Sequence, residues 1–453
     1  MRKIAYLITL LLVITIQPVT GGIAEAETKQ PKDLRIAIVG AGVAGLSAAY
    51  YLKDTGYENV TVYEKEPQVG GKVHSFTYDG HTHELGAMWI EEYYRNIYGL
   101  AFKYDIDLQL DEADFIFRDA NNTNYKSAQE YVIAKYGSSE TNAALANFQK
   151  IQIKFRSLNK TGFAGADPEL FMTFDKFSQK YQIEPIAYGF KTWWTNGGFG
   201  YYNEVPALYV LKALMPAMRD LDSVFITLHR VPDGYQRLWE KIAEDLDDVR
   251  LNHTVEKVKR QSDSNSVSIE VTANGVTETF DRIIITCDLK ESLKFLDATE
   301  EEQELFSQVQ SYNYDVHFFH AHGINYRNGS LVVLMANNVP ERNGHVLGLL
   351  NREDSPGVWK SYQIAPWGTP SDELISFVKE DVKQLGGQVE SIIIQKQWSF
   401  FPHVKTQTLH DGFYDRIEAS QGKNGTYYAG GIMCLEGTER VLRYSKKLVE
   451  TYF

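Results

Sequence analysis

Three glycines and a glutamate near the start of the chain have the types and spacing of a dinucleotide-binding turn. Gly40, Gly42 and Gly45 lie in the run Gly-Ala-Gly-Val-Ala-Gly, with Ala44 before the last glycine, and Glu64 follows 24 residues after Gly40. The first glycine permits a tight turn, the second lets backbone N–H groups approach a pyrophosphate, and the third lets a helix pack closely on a strand. A glutamate at this distance accepts hydrogen bonds from ribose hydroxyls.

The elements around these residues are those that such a turn needs. Residues 34–39 are a short continuous apolar run, which is typical of a buried parallel strand. A helical pattern follows the glycines and ends at Gly56, and residues 59–63 alternate as a second strand. Strand, glycine turn, helix, strand and acid therefore predict an α/β, Rossmann-like domain.

Two further groups of residues extend this pattern. They are Gly70, Gly71 and Lys72, and then Gly86, Ala87 and Met88. The extended pattern resembles the flavin-containing amine oxidase superfamily. The resemblance implies FAD, with Lys72 near its ribityl–phosphate region and residues 86–88 near the isoalloxazine ring. It also implies a fold of the glutathione-reductase type.

Later segments agree with the same architecture. Asn274-Gly275 between alternating strands is a hairpin signal, and residues 283–285 predict a buried strand. The resemblance implies that the backbone of Val255 holds the adenine. The resemblance also implies three residues near the chain end at the flavin: Gly430, Gly431 and Thr438. Thr438 opens a helix whose first N–H groups suit an anionic ring edge.

The predicted FAD-binding domain is therefore discontinuous. We assign to it residues 31–110, 228–290 and 396–453, and to a second, α+β substrate domain residues 111–227 and 291–395. Within the substrate domain, Thr299 and Glu302 form a capping-box pattern. Residues 371–385 have the apolar spacing of an amphipathic helix.

Three departures argue against an amine oxidase. The strand that carries a lysine at flavin N5 in that family matches residues 312–321, which contain none. The family's glutamate after the last Ala-Gly is replaced by Gly431. Neither Cys287 nor Cys434 stands where a covalent flavin link would be expected, so we expect FAD to be bound non-covalently.

Two other stretches, residues 198–212 and 397–404, resemble the bacterial FAD-dependent polyunsaturated fatty acid isomerases within the same superfamily. The resemblance implies hydride transfer from an apolar or amphipathic substrate to flavin N5 and its return to another carbon. A doubly allylic C–H suits this reaction because the resulting cation is delocalised. An amine or amino-acid oxidase producing hydrogen peroxide is the alternative, and a non-catalytic flavin-binding protein is the second.

No catalytic residue is identified by the sequence, but aromatic residues suggest a substrate pocket. The candidates, each of which has a structural role in the core as its alternative, are Tyr201, Trp398, Phe401, His403 and Tyr428. His317, His320 and His322 resemble a metal cluster. Their spacing on a strand divides them between faces, so we expect no metal site.

Composition narrows the function further. The chain has 453 residues, of which 43% are hydrophobic and 23% charged, as in a globular protein with a sizeable core. Acidic residues number 59 against 46 basic ones, which gives a net charge of −13. So negative a surface repels phosphate and makes a nucleic-acid partner unexpected. Two cysteines exclude a disulfide framework.

The first 26 residues have the pattern of a signal peptide. Arg2 and Lys3 precede an apolar stretch at 4–16, and Ala24-Glu25-Ala26 fits a cleavage site. We expect cleavage after Ala26, an exported protein of net charge −14, and no stable membrane span. An uncleaved anchor is the alternative, but thirteen residues at about 1.5 Å each fall short of a bilayer core of about 30 Å.

Overall fold

The computed structural model describes residues 31–111, 114–215, 227–262 and 266–453. The predicted signal peptide lies outside the described residues. The strands are, in chain order, β1 Ile36–Val39, β2 Val60–Tyr63, β3 Ser75–Tyr78, β4 His81–Glu84, β5 Ile90–Glu91, β6 Gln109–Leu110, β7 Asp114–Arg118, β8 Asn124–Tyr125, β9 Leu228–Arg230, β10 Val249–Arg250, β11 Val255–Ser262, β12 Val267–Ala273, β13 Val276–Phe280, β14 Arg282–Ile285, β15 Gln310–His322, β16 Ser330–Leu334, β17 Val346–Asn351, β18 Val358–Ala365, β19 Gln388–His403 and β20 Thr426–Tyr428. The helices are α1 Val43–Asp54, α2 Arg95–Lys103, α3 Ala128–Lys154, α4 Phe174–Tyr181, α5 Glu184–Asn196, α6 Ala207–Leu214, α7 Gln236–Glu244, α8 Leu289–Ser292, α9 Glu300–Ser307, α10 Ser371–Gln384, α11 Thr406–His410, α12 Phe413–Glu418, α13 Gly431–Cys434 and α14 Thr438–Tyr452.

A five-stranded parallel sheet forms the centre of the first domain, in the order β10-β2-β1-β14-β20. Strand β1 is buried along its whole length, as its continuous apolar sequence predicts. It lies between β2 and β14, so its carboxyl end delivers the glycine turn to the middle of the sheet edge. The predicted α/β class is confirmed.

An antiparallel meander of β11, β12 and β13 follows as expected. Asn274 and Gly275 both have positive φ, at 47° and 75°. A two-residue hairpin turn of the type I′ class requires that conformation at both positions, and Asn-Gly adopts it at the least cost.

The second large sheet has the order β19-β15-β18-β17-β16-β7-β8 and is mostly antiparallel. Helix α10 lies against it and buries Leu374, Val378 and Val382 at the spacing that the sequence predicts. The opposite face of this sheet is apolar and aromatic, and it turns toward the first domain.

The structure differs from the predicted domain boundaries at two places. Strand β19 pairs with β15 from Gln388 to His403, so residues 396–403 continue the second sheet beyond the predicted boundary at 396. If β19 ended at residue 395, the backbone groups of β15 that face residues 396–403 would lose their strand partners. Helix α9, with its Thr299–Glu302 capping box, is tied instead to the first domain by an ion pair between Glu302 and Arg260.

Among the described residues, no helix is long and apolar enough to cross a membrane.

Candidate functional site

The three glycines of the turn after β1 have different surroundings. Gly40 has φ of +107°, and a Cβ added to Gly45 would lie 1.9 Å from the carbonyl oxygen of Gly40. These two glycines are therefore required by the fold itself. A Cβ added to Gly42 would meet only the Cα of Gly71, at 3.8 Å. The space above Gly42 is thus open, and Ala44 is buried in the first turn of α1.

Glu64 closes β2 against this turn. One carboxylate oxygen accepts the N–H of Ala41 at 2.8 Å, and the other accepts the N–H of Glu66 at 2.9 Å. The N–H of His253 donates to the carbonyl oxygen of Glu64 at 2.8 Å, which brings the start of β11, and with it Val255, beside the turn. This arrangement suits a carboxylate that receives ribose hydroxyls with its remaining lone pairs.

The second glycine pair packs on the first turn. Gly70 donates its N–H to the carbonyl oxygen of Ala41 at 2.9 Å and forms a bridge with Gly42. A Cβ at Gly71 would lie 3.1 Å from the Cα of Gly42. A side chain at position 71 would therefore be crowded against Gly42, and Lys72 leaves this contact with its ammonium group paired to Glu436.

The segment 85–89 lies next to Lys72 and crosses the second sheet. A Cβ at Gly86 would fall 1.9 Å from the carbonyl oxygen of Lys72, which also accepts the N–H of Ala87 at 2.9 Å. The indole N–H of Trp398, on β19, donates to the carbonyl oxygen of Leu85 at 2.8 Å. Met88 reaches β18 at the other end of the segment. The segment is thus held between the two domains.

Residues near the chain end complete the site, which we call the cofactor cradle: the glycine turns at 40–45 and 70–71, the segment 85–89 and the start of α14. Gly430 has φ of +118° and lies two residues after the end of β20. Thr438 opens α14, and its hydroxyl accepts a hydrogen bond from Tyr235 at 2.8 Å. The first N–H groups of a 15-residue helix form a positive dipole end that favours an anionic group. Two glycine turns, an open Cα and this helix end fit a flavin dinucleotide.

Opposite the segment 85–89 lies a cluster of aromatic side chains that we call the aromatic wall: Tyr201, Tyr314, Phe318, Tyr362 and Trp398. Leu85 is part of the same apolar cluster, and Met88 and Trp89 pack against it. The structure therefore brings Tyr201 and Trp398, both predicted substrate candidates, onto one surface beside the cradle.

The hydroxyl groups of the aromatic wall are occupied by protein partners. Tyr201 donates to the side-chain oxygen of Asn343 at 2.7 Å, and Tyr314 donates to the carbonyl oxygen of Asn196 at 2.7 Å. Burial raises the pKa of both phenols, so that neither is a base at neutral pH. The wall can shape and orient a ligand, but its tyrosines cannot remove a proton.

The other three substrate candidates lie in the main core, away from the aromatic wall. Phe401 is fully buried and makes an edge contact with Trp194, with ring centroids 5.5 Å apart. His403 stacks on Phe401 and bonds to its carbonyl oxygen at 2.8 Å, and burial lowers its pKa to about 4. Tyr428 donates its hydroxyl to Glu302. These contacts favour the packing interpretation of all three residues.

A lysine that the sequence reasoning missed stands on the aromatic face. Lys360 pairs with Phe318 across β18 and β15, is 3% exposed, and donates to the sulfur of Met88 at 3.6 Å. Burial lowers the pKa of Lys360 and raises the pKa of Glu84, and the two groups interact electrostatically. The available signal in the sequence was a single lysine in the buried strand Val358–Ala365. The sequence does not show that this lysine meets Met88, which is 272 positions away.

Cysteine and histidine side chains occupy ordinary structural positions. Burial raises the pKa of Cys287 and of Cys434 to about 12, which leaves both as protonated, poorly nucleophilic thiols. The three histidines of β15 lie beside different groups: His317 beside Asp315, His320 beside the hydroxyl of Tyr78, and His322 beside Glu390.

A known family and a solved structure resemble this chain over most of its length. The family described as flavin containing amine oxidoreductase matches residues 43–441. The crystal structure of the CLA-producing fatty acid isomerase from P. acnes superposes with a TM-score of 0.85 and 27% identity, and covers 94% of this chain and 100% of that one. A polyenoic fatty acid isomerase of Ptilota filicina is 25% identical over 287 residues, which are 56% of each protein. An L-amino-acid oxidase of Crotalus adamanteus is 24% identical over 273 residues, 57% of this chain and 51% of that protein.

Proposed function

Because the chain belongs to the flavin-containing amine oxidoreductase family, we propose that it is a FAD-dependent enzyme that isomerises double bonds of polyunsaturated fatty acids. The similarity to a fatty acid isomerase structure extends over both domains. The observation that carries the proposal is the chemistry of the aromatic wall, which has apolar ring faces while its tyrosine hydroxyls are hydrogen-bonded within the protein.

Lys360 and Glu84 give this face no fixed net charge. Burial lowers the pKa of Lys360 and raises the pKa of Glu84, both to about 7, and the two groups have opposite charges when both are ionised. The electrostatics of the site therefore place no penalty on a neutral hydrocarbon chain.

When bound, FAD supplies hydride acceptance and return at its N5 atom. The chain's own residues supply the rest. The glycine turns and the N-terminus of α14 bind the cofactor, and the aromatic wall orients an apolar chain and excludes water. Because the wall's phenols remain protonated, they orient a substrate without taking a proton from it.

The experiment compares substrates on the FAD-loaded protein. Linoleate is expected to give conjugated dienes, followed by ultraviolet absorbance, without stoichiometric hydrogen peroxide. Trp398→Leu is expected to slow this reaction because it removes part of the wall. Trp367→Leu is the matched control, because Trp367 is 58% exposed.

Other outcomes of this experiment assign the alternatives. Peroxide formed from an amine or amino-acid panel, without dienes from lipids, would replace the proposal with an oxidase. A bound flavin that supports neither reaction would replace it with a flavin-binding protein.

We also propose that the protein is exported after cleavage behind Ala26, on the pattern of residues 1–26. Mass spectrometry of the protein from its native host is expected to find a chain that begins at Glu27. A chain that retains residues 1–26 would contradict this proposal.

A further inference from the structure

In the turn after β20, the side chain of Glu436 lies beside Gly431. A Cβ added to Gly431 would lie 2.7 Å from the carboxyl carbon of Glu436 and 3.0 Å from both of its oxygens. Gly431 is not among the residues with positive φ, so its backbone would accept a side chain. What occupies the space beside Gly431 is the carboxylate of Glu436.

The backbone between these positions is shaped to return Glu436 toward Gly431. Leu435 has φ of 79° and ψ of 141°, a region that non-glycine residues enter only at a cost. Its N–H donates to the carbonyl oxygen of Gly431 at 2.8 Å and closes the turn. Gly437 then takes φ of +135° before α14 begins.

Glu436 has a charged partner from the other side of the cradle. Its carboxylate forms an ion pair with Lys72, which directly follows the glycine pair that packs on Gly42. The Glu436 side chain is 12% exposed and that of Lys72 is 36% exposed. The pair therefore joins the Gly70-Gly71 turn, which packs on Gly42, to the turn that precedes α14.

We propose that Glu436 is a cofactor-binding residue of this chain: its carboxylate takes the place that a side chain at position 431 would fill, and it holds Lys72 against FAD. The ammonium of Lys72 suits the diphosphate of the ligand, and the free lone pairs of Glu436 suit its hydroxyl groups. This inference rests on the flavin site and not on the proposed isomerase reaction.

The test moves the glutamate from position 436 to position 431. The affinity of the deflavinated protein for FAD is measured by flavin fluorescence, without any substrate. Glu436→Ala is expected to weaken FAD about tenfold to a hundredfold, as for a lost charge-assisted hydrogen bond. Gly431→Glu alone is expected to bind weakly or fold poorly, because two carboxylates would be forced together. The double variant, Gly431→Glu with Glu436→Ala, is expected to recover affinity to within about threefold of the parent, since the two changes share one space.

A second set of variants separates binding from structural support. Lys72→Met and Glu436→Gln are expected to be non-additive in FAD affinity, because each removes the same ion pair. Glu450→Gln is the matched control, since Glu450 forms an exposed pair with Lys446 on α14. Circular dichroism of the same proteins reports their stability without FAD.

The outcomes are distinct. Unchanged FAD affinity in Glu436→Ala would overturn the proposal, as would a double variant that binds FAD no better than Glu436→Ala. A fall in apoprotein stability with no change in FAD affinity would also overturn it, because it would make the pair a structural contact only. None of these results depends on linoleate or amine turnover.

Discussion

Replacing Gly42 by valine is expected to remove FAD binding while leaving the apoprotein folded. The backbone of Gly42 has φ of −77° and ψ of −175°, which valine can adopt, and an added Cβ meets only the Cα of Gly71 at 3.8 Å. The valine methyl groups would instead fill the open space through which backbone N–H groups approach a pyrophosphate. Loss of two such bonds to a charged group, each of about 1.5–3 kcal/mol, weakens FAD by roughly 3–6 kcal/mol, or at least about a hundredfold.

The comparison with Gly45→Ala makes this prediction specific. The new Cβ in that variant would lie 1.9 Å from the carbonyl oxygen of Gly40, so the fold itself must shift. Overpacking of this kind costs about 1–3 kcal/mol or more. FAD titration by fluorescence and denaturant unfolding of the apoproteins should therefore separate the variants: Gly42→Val loses affinity, and Gly45→Ala loses stability. A Gly42→Val protein that retains full FAD, or that unfolds as readily as Gly45→Ala, would refute the reasoning.

Four further predictions follow from the same contacts. Glu64→Ala is expected to weaken FAD by about 1–3 kcal/mol, because it removes charge-assisted hydrogen bonds to ribose; unchanged affinity in the same titration would remove Glu64 from the site. FAD is expected to remain in the supernatant after acid precipitation, since both Cys287 and Cys434 are protonated thiols; chromophore in the pellet would show a covalent link. The contribution of Glu84 and Lys360 to the free energy of unfolding is expected to be lowest near pH 7. Burial raises the pKa of Glu84 from 4.5 to about 7, so this contribution falls between pH 4.5 and 7. Burial lowers the pKa of Lys360 from 10.5 to about 7, so the contribution rises again between pH 7 and 10.5. The double variant Glu84→Gln with Lys360→Met should therefore gain most on the parent at pH 7 in denaturant unfolding, and an equal difference at pH 5, 7 and 9 would refute this. Photoreduced protein is expected to reoxidise slowly in air-saturated buffer, because β15 carries no lysine; fast reoxidation with stoichiometric peroxide, abolished by Lys360→Met, would instead show that β18 supplies the ammonium group.

The strand–helix–strand unit around the glycine turn could be predicted because its signals are local. Gly40, Gly42, Gly45 and Glu64 lie within one strand–helix–strand unit, and their spacing alone fixes the turn and the partner strand. The Thr299–Glu302 capping box and the Asn274-Gly275 hairpin were predictable for the same reason, since each interaction spans a few residues.

The surroundings of the other site residues depend on contacts between parts of the chain that are distant in sequence. Lys360 meets Met88 only because β18 pairs with β15 in one register, and a shift of one residue would turn its side chain to the other face. Phe401 and Tyr428 resembled pocket residues because aromatic residues serve cores and pockets equally well. The place of Glu436 beside Gly431 required the conformation of Leu435, which residue type does not reveal.

The central claim is that hydride taken from a polyunsaturated fatty acid is returned to it. The most direct measurement mixes FAD-loaded protein with linoleate under strictly anaerobic conditions in a stopped-flow instrument. Flavin absorbance and conjugated-diene absorbance are recorded together. The account predicts repeated turnover, in which diene accumulates well beyond one equivalent of protein while the flavin spectrum stays oxidised at steady state. Stoichiometric bleaching of the flavin that ends after one turnover, and that only added oxygen reverses with release of peroxide, would contradict it.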